Sequence, residues 1–224
     1  MSEKKNELED ILKSLDLVNC DKKSTKLLRA YMDLLFRWHE KNNILSTRDR
    51  GYFIQRDLFD SLSMMEHLPI GDLLDIGTGA GIPGMLISFF RPDANITLLD
   101  RRENAIRFLE HAKLKLSLNN VSIIKSDVKK MNIQKTTDAV LIKNFSNKII
   151  SKLSFEDKLI YIIKMIREHV LGTPPIYMLT GSIALSMDNQ TEEFRRTSKS
   201  KFSVKKIDTP YFDTNRYMLV IEHD

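Results

Sequence analysis

Asp75-Ile76-Gly77-Thr78-Gly79-Ala80-Gly81-Ile82-Pro83-Gly84 is the stretch on which the fold turns. Leu73 to Ile76 makes an apolar run of strand length, and Met85 to Phe90 on the far side reads as a helix. Four glycines in between let the backbone turn sharply and approach a ligand closely, because no Cβ intervenes. The strand-loop-helix order puts that ligand at the carboxyl end of a strand. Asp100 closes the next apolar run, Ile96 to Asp100, and a carboxylate there can hold both ribose hydroxyls of a nucleoside cofactor. The interval from Gly77 to Asp100 suits one βαβ unit.

Outward from this loop the alternation continues. Strand-length runs at Val121 to Ile124, Ala139 to Ile142 and Ile176 to Leu179 are separated by helix-like Glu103 to Leu116 and Phe155 to Val170. Two further strands are expected near Phe202 to Ile207 and Arg216 to Ile221. The pattern predicts an α/β fold with a mostly parallel sheet and helices on both faces. Upstream, residues 1–70 read as a helical N-terminal extension: Leu8, Ile11, Leu12 and Leu15 recur at helix spacing, as do Leu27, Leu28, Tyr31, Leu34, Leu35 and Trp38. Asp21 can cap the second of these helices, and a third run, Tyr52 to His67, stops before Pro69 and Gly71. The expected division is 1–70 for the extension and 71–224 for the core, packed as one unit.

Composition narrows the class. A chain of 224 residues with 42% apolar and 29% charged residues can bury one large core, and two full domains are not expected. The formal charge of +5 favours an anionic partner. One cysteine, Cys20, excludes an internal disulfide and a multi-cysteine metal centre. His39, His67, His111, His169 and His223 lack metal-ligand spacing, so no metal is expected. The charged N-terminus has no apolar signal core, and no stretch of about 18 apolar residues occurs, so neither export nor a membrane span is expected. The expected location is the cytoplasm.

Gly79-Ala80-Gly81-Ile82-Pro83-Gly84 also satisfies GxGxxG, which brings in a nicotinamide dehydrogenase. Its placement argues against that reading. A dinucleotide fingerprint opens directly on the strand, whereas here Gly77 and Thr78 intervene and Asp75 stands at the strand end. That carboxylate would repel a pyrophosphate but would hold the ammonium of a methionine moiety. The loop and its two acids therefore point to S-adenosylmethionine, with Asp75, Gly77, Gly79, Gly81 and Asp100 in the cofactor site.

The chain resembles the RsmG (GidB) family, which forms 7-methylguanosine in the decoding region of 16S ribosomal RNA. The resemblance rests on KNNILSTRDR (Lys41 to Arg50), RDLFDSL (Arg56 to Leu62), LLDIGTGAGIPG (Leu73 to Gly84) and LLDRRENAIRFLE (Leu98 to Glu110). The family strings look like NLTAIRD, RHxLDSL, DVGTGxGLPG and LLDSxxKRxxFL. It implies a Rossmann-like class I methyltransferase fold and places cofactor contacts on Gly77, Ile82, Val128, Lys129 and Lys143. Chemistry adds Asp127, or a neighbouring backbone group, for the adenine amino group. The implied partner is 16S ribosomal RNA in the small subunit, with Arg48, Arg50 and Arg56 bordering the cleft as RNA contacts.

Three positions depart from the family pattern. Ser-Arg-Ala after the fourth strand is replaced by Ile142-Lys143-Asn144, Lys-Gly after the fifth by Thr180-Gly181, and the histidine of RHxLDSL by Asp57. Lys143 keeps the charge of the arginine without its planar fork, and its expected role is to position cofactor or phosphate. Guanine N7 carries a lone pair and no proton, so its methylation requires no catalytic base. Asn144 and Phe145 resemble half of the Asn-Pro-Pro-aromatic turn of exocyclic-amine methyltransferases. Two other readings therefore stay open: a Rossmann-fold methyltransferase for a small molecule, and a noncatalytic RNA-binding relative.

Overall fold

The computed structural model describes residues 8, 12–13, 22–46, 49–131, 133, 135–143, 150–189, 191–207 and 215–224. Seven strands form one sheet: β1 Asp72–Ile76, β2 Asn95–Asp100, β3 Val121–Lys125, β4 Ala139–Lys143, β5 Ile176–Thr180, β6 Ser200–Ile207 and β7 Arg216–His223. Their order is β3-β2-β1-β4-β5-β7-β6, parallel except for β7, which runs antiparallel to both neighbours. The order reverses between β1 and β4, the position at which open α/β sheets collect ligands.

On one face of the sheet pack α1, Lys22–Asn42; a continuous segment, α2, over 50–63; α3, Gly84–Phe90; and α4, Glu103–Leu116. In α1, Ser24, Leu28, Tyr31, Met32, Leu35 and His39 make one buried stripe at helix spacing. Tyr31 sits between Phe89 and Phe108, with ring centroids 5.5 and 5.9 Å away. Trp38 lies on Phe108 and His111, in the core-packing role its place on the stripe implies. The helical extension thus shares a core with Leu73, Ile96, Leu98 and Leu141 of the sheet. Helix α5, Phe155–His169, and α6, Glu192–Ser198, cover the opposite face over Leu74, Ile76, Val140 and Ile142.

The α/β fold, its mostly parallel sheet and its helical N-terminal segment follow the sequence pattern. Two elements differ. The run expected from Tyr52 to His67 is not a uniform helix: Phe53–Leu58 is π-helical inside 50–63, and Met65–His67 forms a 3₁₀ turn. Helix α6 follows a 3₁₀ stretch, Ser182–Asn189, between the expected strands at Ile176 to Leu179 and Phe202 to Ile207. Its signal was a local one, Thr191 capping the Phe194 amide at 3.1 Å with Glu192 and Glu193 in the first turn. Asp21 and Cys20 lie outside the described residues.

Candidate functional site

Strand alternation decides which side chains meet. Leu73 and Asp75 on β1, Leu98 and Asp100 on β2, and Leu141 and Lys143 on β4 share one face with Met218 and Arg216 on β7. Each strand switches from apolar to charged toward the same sheet edge, and α2 lies over that edge. Asp75 pairs in register with Leu98 and Leu141, so it sits two residues deeper than Asp100 and Lys143. Its burial is complete.

The loop after β1 is built for close approach. Gly77, Gly79 and Gly81 have φ of 71°, 61° and 91°, in the left-handed region that favours glycine. The Gly77 and Thr78 amides donate to Leu99 O, and the Tyr31 hydroxyl donates to Ala80 O at 2.6 Å, tying the loop to β2 and α1. Gly84 serves packing instead: a Cβ there would stand 2.5 Å from Leu98 and 2.8 Å from Asp75 Oδ2.

Asp75 Oδ2 accepts from Thr78 Oγ1 at 2.6 Å and from the Gly84 amide at 2.8 Å. Its Oδ1 is buried and has no hydrogen-bond partner among the described residues. Burial pushes the carboxyl up to about 6, against the pull of the Thr78 and Gly84 hydrogen bonds; Asp100 pushes the same way and the charge of Lys143 opposes it. A buried acceptor with one oxygen unsatisfied fits a cationic donor, and the ammonium of S-adenosylmethionine is one.

Asp100 is occupied differently. Its Oδ2 accepts from the Gly79 amide at 2.9 Å and Arg102 Nη2 at 3.2 Å, and its Oδ1 from Arg102 N and Nε at 2.8 and 3.2 Å. The guanidinium of Arg102 thus lies over the carboxylate expected to bind ribose. Ribose hydroxyls bound there would have to displace it, and because the Arg102 side chain is 57% exposed the exchange would be cheap. Asp100→Ala should weaken cofactor binding by about 1–3 kcal/mol, measured by calorimetry. Arg102→Ala should tighten it by a few-fold, and unchanged affinity would mean the guanidinium moves aside at no cost.

Lys143 ends β4 at the sheet edge, and its Nζ is buried, 2.7 Å from Asp57 Oδ1 and 4.0 Å from Asp60 Oδ2. Arg216 grips Asp60 through Nε at 3.3 Å and Nη2 at 2.6 Å. The pairing of Lys143 with Asp57 joins two positions that the sequence offered separately, as departures from a pattern. Asp60 and Arg216 carried no single-sequence signal beyond their strings.

Val128 is buried at the start of the 3₁₀ turn Val128–Lys130, and Lys129 is exposed with Nζ 5.5 Å from the Tyr161 ring centroid. Asp127 caps that turn, accepting from the Lys129 amide at 3.1 Å, and lies 3.5 Å from Arg101. Ile82 is half-buried in the glycine loop. Arg50 is exposed, 2.8 Å from Asp33 and stacked over Phe36, and Arg56 lies over Tyr52. Arg48, Asn144 and Phe145 lie outside the described residues. Among the described residues no three His, Cys, Asp or Glu side chains converge on a metal-sized site, and no helix is long and apolar enough to cross a membrane.

Residues 24–167, including most of α1, all of α2, the glycine loop, Asp100 and Lys143, match the family model described as GidB, rRNA small subunit methyltransferase G. The chain belongs to the GidB family. Among relatives named ribosomal RNA small subunit methyltransferase G, that of Methylobacillus flagellatus is 34% identical over 54% of this chain and 60% of its own length. The Pectobacterium carotovorum protein is 32% identical over 64% of this chain and 69% of its own. For Yersinia pseudotuberculosis the identity is 29%, over 87% and 88%. Two solved structures share the fold with this GidB member. A SAM-dependent methyltransferase from Aquifex aeolicus superposes with a TM-score of 0.52 at 12% identity, covering 83% of this chain and 96% of the other. TYW2 of M. jannaschii, in complex with AdoMet, gives 0.51 at 14%, covering 75% and 76%.

Proposed function

We propose that the chain transfers the methyl group of S-adenosylmethionine to N7 of a guanine in 16S ribosomal RNA of the small subunit, in the cytoplasm. The observation that carries the cofactor half is Asp75, whose buried, unpartnered Oδ1 lies beside a loop of left-handed glycines. Asp75 would hold the methionine ammonium and Asp100 the ribose. Gly77, Gly79, Gly81 and Ile82 would line the cradle, with Asp127, Val128 and Lys129 at the adenine end. Family membership carries the RNA half.

S-adenosylmethionine supplies an activated methyl group for in-line displacement. The chain's own task is to orient the acceptor and exclude water, worth up to about 7–11 kcal/mol in favourable cases. No side chain need remove a proton, because N7 bears none. The test is incubation with labelled S-adenosylmethionine and ribosomal RNA from cells lacking the protein, followed by mapping of the label. Label on no guanosine would sink this reading, and transfer to a small molecule alone would favour the other Rossmann-fold reading.

Arg48, Arg50 and Arg56 are the proposed RNA contacts. Each phosphate neutralised contributes about −0.7 to the salt slope of single-strand binding. Arg56→Glu should flatten that slope more than Arg50→Glu does, since Asp33 already offsets the charge of Arg50. Equal, unchanged slopes would leave both arginines on a merely solvated face.

A further inference from the structure

On one side of the β1/β4 switch point lie Asp75 and Asp100; on the other lies a four-charge cluster in which Lys143 and Arg216, from β4 and β7, hold Asp57 and Asp60 of α2. The two acids and two bases cancel, so the cluster has no net charge to expel a ligand. Its members differ in access. The side chains of Lys143 and Asp60 are 2% and 0% exposed, whereas Asp57 keeps 11%. One oxygen of Asp57 is fixed by Lys143 at 2.7 Å, and of the two acids Asp57 alone keeps exposed side-chain area.

The cluster also borders the methionine end of the cofactor cradle. Lys143 stands two residues past Leu141, the in-register β4 neighbour of Asp75, and its charge acts on that buried carboxylate, whose Oδ1 has no partner among the described residues. Asp57 itself lies in the π-helical turn Phe53–Leu58, a local widening often found at functional sites.

We infer that Asp57 is the residue that recognises the target guanine, accepting hydrogen bonds from its N1–H and 2-amino group. The inference rests on the guanine-N7 reading above. Those two donors lie on the edge of the purine away from N7, so a base gripped there turns N7 toward the methyl donor. An ionised carboxylate only accepts, and among the four bases guanine alone offers two adjacent donors on that edge. Charge flow adds a second reason. As the carbon–sulfur bond breaks and the carbon–N7 bond forms, sulfur keeps the electron pair and the positive charge passes into the purine, making N1–H a stronger donor. A carboxylate there gains interaction as the reaction proceeds. Lys143 then acts as a positioning residue, fixing the carboxylate's orientation from below.

The experiment compares short RNAs carrying guanosine or inosine, which lacks the 2-amino group, at the mapped position. Equilibrium binding is measured with the demethylated cofactor present, and methyl transfer in single turnovers. The native protein should favour guanosine by about tenfold or more in both. Asp57→Asn should bind the demethylated cofactor normally yet treat the two RNAs alike within about twofold. If that variant is unfolded, Asp57→Asn with Lys143→Met, which keeps the cluster neutral, is read by the same criterion. A folded variant that still favours guanosine tenfold overturns the inference, as does a native protein active on guanosine and inosine alike. A native protein that methylates no guanosine overturns the functional reading first, and this inference with it.

Discussion

Replacing Asp75 by asparagine should weaken S-adenosylmethionine binding near neutral pH on the order of 10- to 100-fold, the range for losing a charge-assisted hydrogen bond. The same variant should lose a pH dependence of stability. The folded carboxyl titrates at about 6 and the ordinary value is 3.8, because burial disfavours the charged form. Below the ordinary value both states hold the proton. Between about pH 4 and 6 the unfolded chain releases it and the folded chain does not, so stability falls as pH rises. Above about 6 the loss is complete, at about 3 kcal/mol for about two units. Denaturant titrations across this range should show the fall in the native protein and not in Asp75→Asn; a flat native profile would mean the carboxylate is relieved by a group other than the cofactor.

Cofactor binding should show the opposite trend. The ammonium needs the ionised carboxylate, so affinity should rise about tenfold per unit up to about pH 6 and then level. A site that is costly when empty and satisfied when filled accounts for both signs.

How far the sequence led differs from element to element. The sheet was legible because strand-length apolar runs alternate with helices over half the chain, and because Asp75 and Asp100 end two of those runs. Strand alternation from Leu73 to Asp75 and from Leu98 to Asp100 even fixes the shared face. Helix α2 was legible as a helix and not as a π-helical one, since periodicity at about 3.6 residues cannot register a single widened turn. The Lys143–Asp57 contact spans a separation of 86 residues, and nothing local to either position encodes it. The clamp of Arg102 on Asp100 is a rotamer choice two residues away, visible in the string but without a preferred direction there.

Lys143→Met should destabilise the protein by about 3 kcal/mol or more. Removing one member of a buried ion pair strands the other: Asp57 would face an apolar side chain, while Arg216 is committed to Asp60. Asp57→Leu alone should cost a similar amount by stranding Lys143 beside Asp60 at 4.0 Å. The double change Asp57→Leu/Lys143→Met removes both charges and should recover most of the loss, because a buried pair replaced by apolar groups of similar size is often near neutral. Urea denaturation of the four proteins gives the coupling directly, and additive losses would show that the two side chains do not meet in solution. Lys143→Arg retains the charge and adds a fork, and should keep both stability and transfer if the pocket under α2 admits the larger head. Methylation separates structure from chemistry: the double variant should be folded, bind cofactor and transfer poorly, because the fold needs the cluster only to be neutral whereas the acceptor guanine needs the carboxylate itself.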